Sequence, residues 1–242
     1  MGLGIVKLAN KILNRFGLVI KDRDQYEERL SKVNSIWLQK LDIASIIDIG
    51  ASTGGYSSKA RKIYPAAKIA SFEPLPKSYH KLTERFKNDL NHKAYNFVLS
   101  DKSGELEFNE SSNSGSSSIL TMSKTHAEAY PHTAKNTAIK VKADTLDAVF
   151  DSLGLEGNIL LKLDVQGAEA LVLKGAEQTL SKVKVVFIET SFVELYKGQW
   201  LFDDLYSFMK KHDFHLAGVE NVSQNLKDGS FLQMDAYFMK NA

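Results

Sequence analysis

The segment IIDIGASTGGYS, residues 46–57, constrains this chain more than any other. A near-continuous apolar run enters a turn containing Gly50, Gly54 and Gly55 and leaves it as a helical stretch. Glycine lacks a Cβ and takes positive φ, so backbone in such a turn can approach a ligand closely. In open parallel sheets, cofactors bind at the carboxyl ends of the strands, and the first strand-to-helix turn is the usual contact.

From residue 45 onward, short apolar runs alternate with helical spacing, which predicts parallel strands joined by crossover helices and an α/β fold. The strands are expected at 45–49, 68–72, 94–99, 159–163 and 183–188, with two later ones at 214–219 and 231–239. Helices are expected at 56–63, 77–90, 167–180 and 201–211. Between Asp101 and Thr137 the regularity stops, and SSNSGSSS at 111–118 reads as a flexible loop inside an insertion near 101–137. Residues 1–44 read as an N-terminal helical segment packed on a domain spanning 45–242, with helical spacing over 25–41. Lys7, Lys11 and Arg15 recur every fourth residue within 1–20. That pattern is an amphipathic basic helix, read as packed on the domain, with peripheral membrane contact as the alternative. Lys and Asn interrupt its apolar residues, so no signal peptide is expected.

Composition narrows the function classes. With 31 Lys and Arg against 29 Asp and Glu, the net charge of +2 supplies no field for a polyanion, so nucleic-acid binding is not implied. The absence of cysteine removes disulfides, thiolate metal sites and Cys nucleophiles and fits a cytoplasmic protein. No apolar run is long enough for a transmembrane segment.

The strand ends supply the candidate chemistry. The second strand ends in SFEP, placing Glu73 19 residues after Gly54, near the spacing at which an acid accepts hydrogen bonds from ribose hydroxyls. Ser100 and Asp101 follow the third strand, where a polar pair can bind an adenine amino group; a plain turn explains them equally well. Asp164 ends the fourth strand and Glu189 the fifth, adjacent acids on one rim. Such a pair suits proton removal or orientation of an acceptor; joint hold on a divalent ion is another use, and no metal is assigned. Lys162 and Glu169 also have structural explanations. His126 and His132 sit in the insertion, either reaching an acceptor or simply solvated. The glycine spacing is not G-x-G-x-x-G, which demotes a nicotinamide enzyme without removing it.

DIGASTGGYS, FEPLPKSYHKL, LSDKSGELEF and LLKLDVQGAEALVLKGAEQTL followed by VVFIE resemble, in order and spacing, the FkbM family of methyltransferases over about 46–189. The resemblance implies a Rossmann-like class I methyltransferase with a mostly parallel seven-stranded sheet. It further implies S-adenosylmethionine as methyl donor and O-methylation of a small molecule or glycan. By the same resemblance Asp48, Gly50 and Gly54 lie around the methionine and the turn, Glu73 on the ribose, and Ser100 and Asp101 near the adenine. Asp164 is then the first candidate for base or acceptor-orienting residue and Glu189 the second. The chain departs from the family pattern at Ser52, where Asn is common and a hydrogen-bonding oxygen is retained. It departs again at Gln166, where the family carries Glu and an amide cannot act as a base. A nucleotide-linked oxidoreductase and a non-catalytic cofactor-binding protein remain as alternatives on the same fold.

Overall fold

The computed structural model describes residues 9–18, 36–112, 114–130, 133 and 136–241. The chain divides into two compact units between Asp42 and Ile43. In the first, residues 9–13 are helical and continue into a 3-10 turn over Asn14–Phe16, and 36–39 are helical. The rest of the helices expected over 1–20 and 25–41 lies outside the described residues.

In the second unit the order is β1 (Ile43–Ile49), α1 (Gly55–Ile63), β2 (Lys68–Phe72), α2 (Pro76–Arg85), β3 (His92–Tyr95), β4 (Val98–Leu99), β5 (Gly104–Ser111), α3 (Lys124–Ala129), β6 (Asn136–Asp144) and α4 (Leu146–Val149). It continues with β7 (Asn158–Leu163), α5 (Glu169–Lys174), β8 (Val183–Ser191), α6 (Phe202–Lys211), β9 (Phe214–Gln224) and β10 (Phe231–Lys240). The main sheet has seven strands in the order β3-β2-β1-β7-β8-β10-β9. Its first five strands pair in parallel, and β10 pairs antiparallel with both β8 and β9. This is the mostly parallel seven-stranded α/β architecture expected.

Burial explains why the central strands read as unbroken apolar runs. The consecutive pairs Ile46 and Ile47, Leu160 and Leu161, and Val185 and Val186 are each at most 1% exposed, so both faces of β1, β7 and β8 are covered. Pro76 opens α2 at its first turn, where a missing N–H costs nothing, and Leu82 packs inward from that helix. Helix α6 carries Asp203 and Asp204 in its first turn and Lys210 and Lys211 in its last, each sign favourable to the helix dipole.

Three expectations need correction. The third strand, expected over 94–99, is two strands. The chain leaves the main sheet after Tyr95, and Val98–Leu99 pairs with β6 in a separate three-stranded sheet ordered β4-β6-β5. The insertion is not irregular throughout: β5 and β6 pair antiparallel from Gly104↔Ala143 to Ser111↔Asn136. Leu106 and Phe108 alternate with Glu105 and Glu107 there, and Phe108 joins Leu75, Val98, Val141 and Ala143 in a second apolar cluster. Finally, the helix expected over 167–180 stops at Lys174. A Cβ on Gly175 would lie 2.0 Å from the carbonyl oxygen of Ser100, so backbone meets backbone there, and a 3-10 turn over Thr179–Lys182 completes the crossover.

Candidate active site

Sheet register sets out the site before any side chain is considered. Phe72 pairs with Ile49, Ile49 with Leu163 and Leu163 with Ile188, so the next residues, Glu73, Gly50, Asp164 and Glu189, form one row. The first three lie just past the ends of β2, β1 and β7, and Glu189 lies within β8, which runs on to Ser191 rather than stopping at 188. The row continues through Glu189↔Asp235 and Asp235↔Glu220. Gly50 has φ +74°, and a Cβ there would lie 1.9 Å from the carbonyl oxygen of Asp164. Its glycine is required by the close approach of β1 to β7. Gly54 (φ +83°) answers a different neighbour, since its Cβ would meet Phe86 at 2.6 Å and Leu82 at 2.9 Å.

A cleft enclosing about 600 Å³, open mouth included, lies over this row. Gly50, Ser52, Glu73, Asp164 and Gln166 form its polar wall; Leu75, Phe97, Val98, Phe108 and Ile119 form much of its apolar wall. Glu73 is 5% exposed and accepts hydrogen bonds from the backbone N–H of Ser52 (2.8 Å) and of Leu75 (2.9 Å). Burial pushes its carboxyl up to about 7 against those two donors and Lys162. An apolar wall beside a buried carboxylate and a glycine turn suits a nucleoside bearing a diol, so these residues fit the expected cofactor class.

Asp48 faces away from the cleft. It is fully buried, its Oδ2 accepts from the Ser57 hydroxyl at 2.6 Å, and its Oδ1 lies 3.0 Å from Lys162 Nζ. Because Ser57 donates to Asp48, the Ser71 hydroxyl donates to Ser57 (3.0 Å), and His92 Nε2–H donates to Ser71 (2.9 Å). Burial lowers His92 to about 4, which keeps that ring neutral. Lys162, 3% exposed, also donates to the carbonyls of Ile49 (3.1 Å) and Gly50 (2.8 Å). This buried lysine fastens the glycine turn from beneath, a role that a charged residue in an apolar strand could have signalled.

The acids divide by environment. The Asp164 side chain is 44% exposed on the cleft, 3.9 Å from Lys162 Nζ. Glu189 accepts from Gln166 Nε2 (2.9 Å) and Gln233 Nε2 (2.7 Å). Burial, followed by the charges of Asp164, Glu169 and Asp235, raises its carboxyl well above the usual range. Glu169 is buried and accepts from the Val165 N–H at 2.9 Å, a structural use. Tyr196, for which the sequence carries no signal, is 3% exposed and donates to Gln166 Oε1 at 3.0 Å.

Ser100 and Asp101 are not brought to the cleft. Ser100 is 1% exposed and donates to Asp101 Oδ1, while Asp101 faces solvent. With the third strand broken after Tyr95, Phe97 and Val98 take the wall position instead. His126 is neither solvated nor on the cleft wall: it is 3% exposed, with Nε2 3.0 Å from Thr133 Oγ1 and its ring against Tyr196. His132 lies outside the described residues. The insertion reaches the cleft through Gly115, Ser117 and Ile119. Among the described residues no group of three or more His, Asp or Glu is arranged to hold a metal ion.

Residues 48–216 match the family described as Methyltransferase FkbM domain. The 2-O-methyltransferase NoeI of Sinorhizobium fredii is 30% identical over 160 residues, 64% of this chain and 66% of that protein. Methyltransferase sdnD of Sordaria araneosa is 33% identical over 216 residues, 74% of this chain and 83% of that protein. Among solved structures, magnesium protoporphyrin IX methyltransferase from Synechocystis is 10% identical with a TM-score of 0.45, covering 97% of this chain and 99% of that one.

Proposed function

Because the chain belongs to the FkbM methyltransferase family, we propose that it methylates a hydroxyl oxygen on a small molecule or glycan, with Asp164 as the residue that receives or orients the hydroxyl proton. The methyl donor is S-adenosylmethionine, which when bound supplies a sulfonium methyl group for displacement by the acceptor oxygen. The chain's own task is to hold that oxygen in line and to manage its proton. Glu73 faces the cleft as an acceptor for paired hydroxyls on the donor side, and Ser52 and Gly50 present backbone to the same wall.

The observation that carries the reading is the placement of Glu73 and Asp164 on either side of Gly50 in one cleft. Asp164 is preferred to Glu189 because it is partly exposed and beside Lys162, whereas both oxygens of Glu189 already accept amide hydrogens. The resemblance to a 2-O-methyltransferase supports an oxygen as the atom that receives the methyl group. No helix among the described residues is long and apolar enough to cross a membrane.

Asp164→Asn keeps shape and removes charge. With release of S-adenosylhomocysteine as the readout, turnover is expected to fall by roughly a hundredfold, the scale of a lost general base, while calorimetric affinity for S-adenosylmethionine stays near wild type. Full turnover in the variant would remove Asp164 from the chemistry. Binding of NAD in preference to S-adenosylmethionine would overturn the donor assignment.

A further inference from the structure

Asp164, just past the end of β7, and Glu189, within the neighbouring β8, lie side by side, so two like charges share one rim and repel one another. One side chain lies between them. Gln166 Nε2 carries two hydrogens and gives one to each acid, 2.8 Å to Asp164 Oδ1 and 2.9 Å to Glu189 Oε2. Its Oε1 accepts from the Tyr196 hydroxyl at 3.0 Å; a flipped amide would set its oxygen against both acids and lose the two hydrogen bonds that join them. The backbone is committed to the same arrangement. Gln166 has φ +56°, unusual for a residue with a side chain, and a Cβ on Gly167 would lie 2.7 Å from Tyr196 Cβ. The Ser116 carbonyl oxygen, 3.2 Å from the Tyr196 hydroxyl, is a second acceptor for its single hydrogen, so the serine-rich segment competes with the amide for it.

We propose that Gln166 is a positioning residue for methyl transfer: its amide holds the Asp164 and Glu189 carboxylates as one aligned pair, and the Tyr196 hydroxyl supports that amide by donating to its oxygen. The proposal rests on the reading of Asp164 given above for its catalytic meaning, though the alignment itself does not depend on it. A glutamate at this position keeps the shape, withdraws both donors and adds a third negative charge. The groups facing the pair are Lys162 from β7, Glu169 from α5, Asp235 and Gln233 from β10, and Tyr196 from the connection after β8. Lys162 is the one cation among them, and it is already engaged by Asp48 and two carbonyls.

The test follows side-chain carboxyl carbon resonances by NMR in the full chain, assigned with Asp164→Asn and Glu189→Gln, through the acid and neutral range. In Gln166→Glu the titration of the pair is expected to move up by about one pH unit or more, as for carboxylates sharing a site. Tyr196→Phe, which leaves both donors of the amide in place and removes the hydroxyl from its oxygen and from Ser116, should move it the same way by less. With methyl glycosides bearing a free 2-hydroxyl as the acceptor probe, Gln166→Glu should lower kcat at least about tenfold with little change in KM, the signature of lost alignment. Titrations that coincide with wild type in both variants, at unchanged melting temperature, would overturn the proposal, as would shifted titrations with undiminished kcat. If Gln166→Glu does not fold, Tyr196→Phe decides alone. A wild-type protein that turns over none of these probes counts against the acceptor reading, and the titration then decides the role of Gln166 by itself.

Discussion

Lys162 shows how much of the site is held by a residue that never reaches the cleft. Burial opposes its charge, and Asp48, Asp164 and Glu189 outweigh that penalty, so its pKa stands above the ordinary lysine value. A raised lysine pKa contributes stability throughout the neutral range, lost only as pH climbs beyond the ordinary lysine pKa of 10.5. Replacing Lys162 with Met strands the buried Asp48 carboxylate, a change expected to cost about 3–5 kcal/mol in urea unfolding at neutral pH. Asp48→Asn combined with it should recover part of the loss. A single variant as stable as wild type would show that the ion pair does not hold the turn. In the sequence, Asp48 and Lys162 are both visible, yet Asp48 reads as a cofactor residue. Alternation within β1 turns Ile49 toward the cleft and Asp48 to the other face, and only the pairing of β1 with β7 shows that Lys162 waits there. Glu73, Gly50 and Asp164 were legible because strand-end position alone sets them on the rim. Tyr196 was not, since it arrives from a connection whose path no periodicity describes.

At the scale of elements the serine-rich run separates composition from conformation. Serine and glycine mark a loop because their side chains bury little apolar area, but hydroxyls that find partners can be buried all the same. Ser116, Ser117 and Ser118 are at most 9% exposed. The Ser117 hydroxyl accepts from the N–H of Ser111, and the Ser118 N–H donates to the Asn109 carbonyl at 3.1 Å. The amide of Ser118 is therefore expected to exchange with solvent as slowly as those paired between β5 and β6. Hydrogen exchange read residue by residue checks this, and fast exchange at Ser118 would restore the picture of an untethered loop. The alternation of Glu105, Leu106, Glu107 and Phe108 was the available signal for β5, and the serine run beside it masked that signal.

For the molecule as a whole, alternating strands and helices sufficed to predict a parallel sheet, because buried strands must be apolar on both faces. Strand order and the antiparallel pairing of β10 depend on long-range contacts that leave no local pattern. Such a fold also carries the cost of its cleft. Glu73 titrates near 7 in the folded chain against 4.5 when unperturbed, so between those values the native state holds a proton that the unfolded state has released. The associated stability is present below 4.5 and is lost as pH rises through 7, at roughly 1.4 kcal/mol per unit. Glu73→Gln removes this dependence, so its stability relative to wild type should grow across that window by up to about 3 kcal/mol. Unfolding curves that keep a constant separation over the window would contradict the assignment.

Only Asn96 and Phe97 separate the last main-sheet strand of the first half from Val98, where the small sheet begins. The strands from there to Asp144 pair only with one another, and the chain then rejoins the main sheet through α4 and β7. Two short joints splice this segment into the chain, and backbone hydrogen bonds from Ser123 to the Leu195 carbonyl and from Lys197 to the Thr121 carbonyl fasten it to the connection after β8. Recombination at those joints would exchange the wall of the cleft formed by Phe108, Ser117 and Ile119 and leave the register of the glycine turn untouched. The two walls of the cleft thus come from different sheets, one from the small sheet and the segment beside it, the other from the ends of β1, β2 and β7.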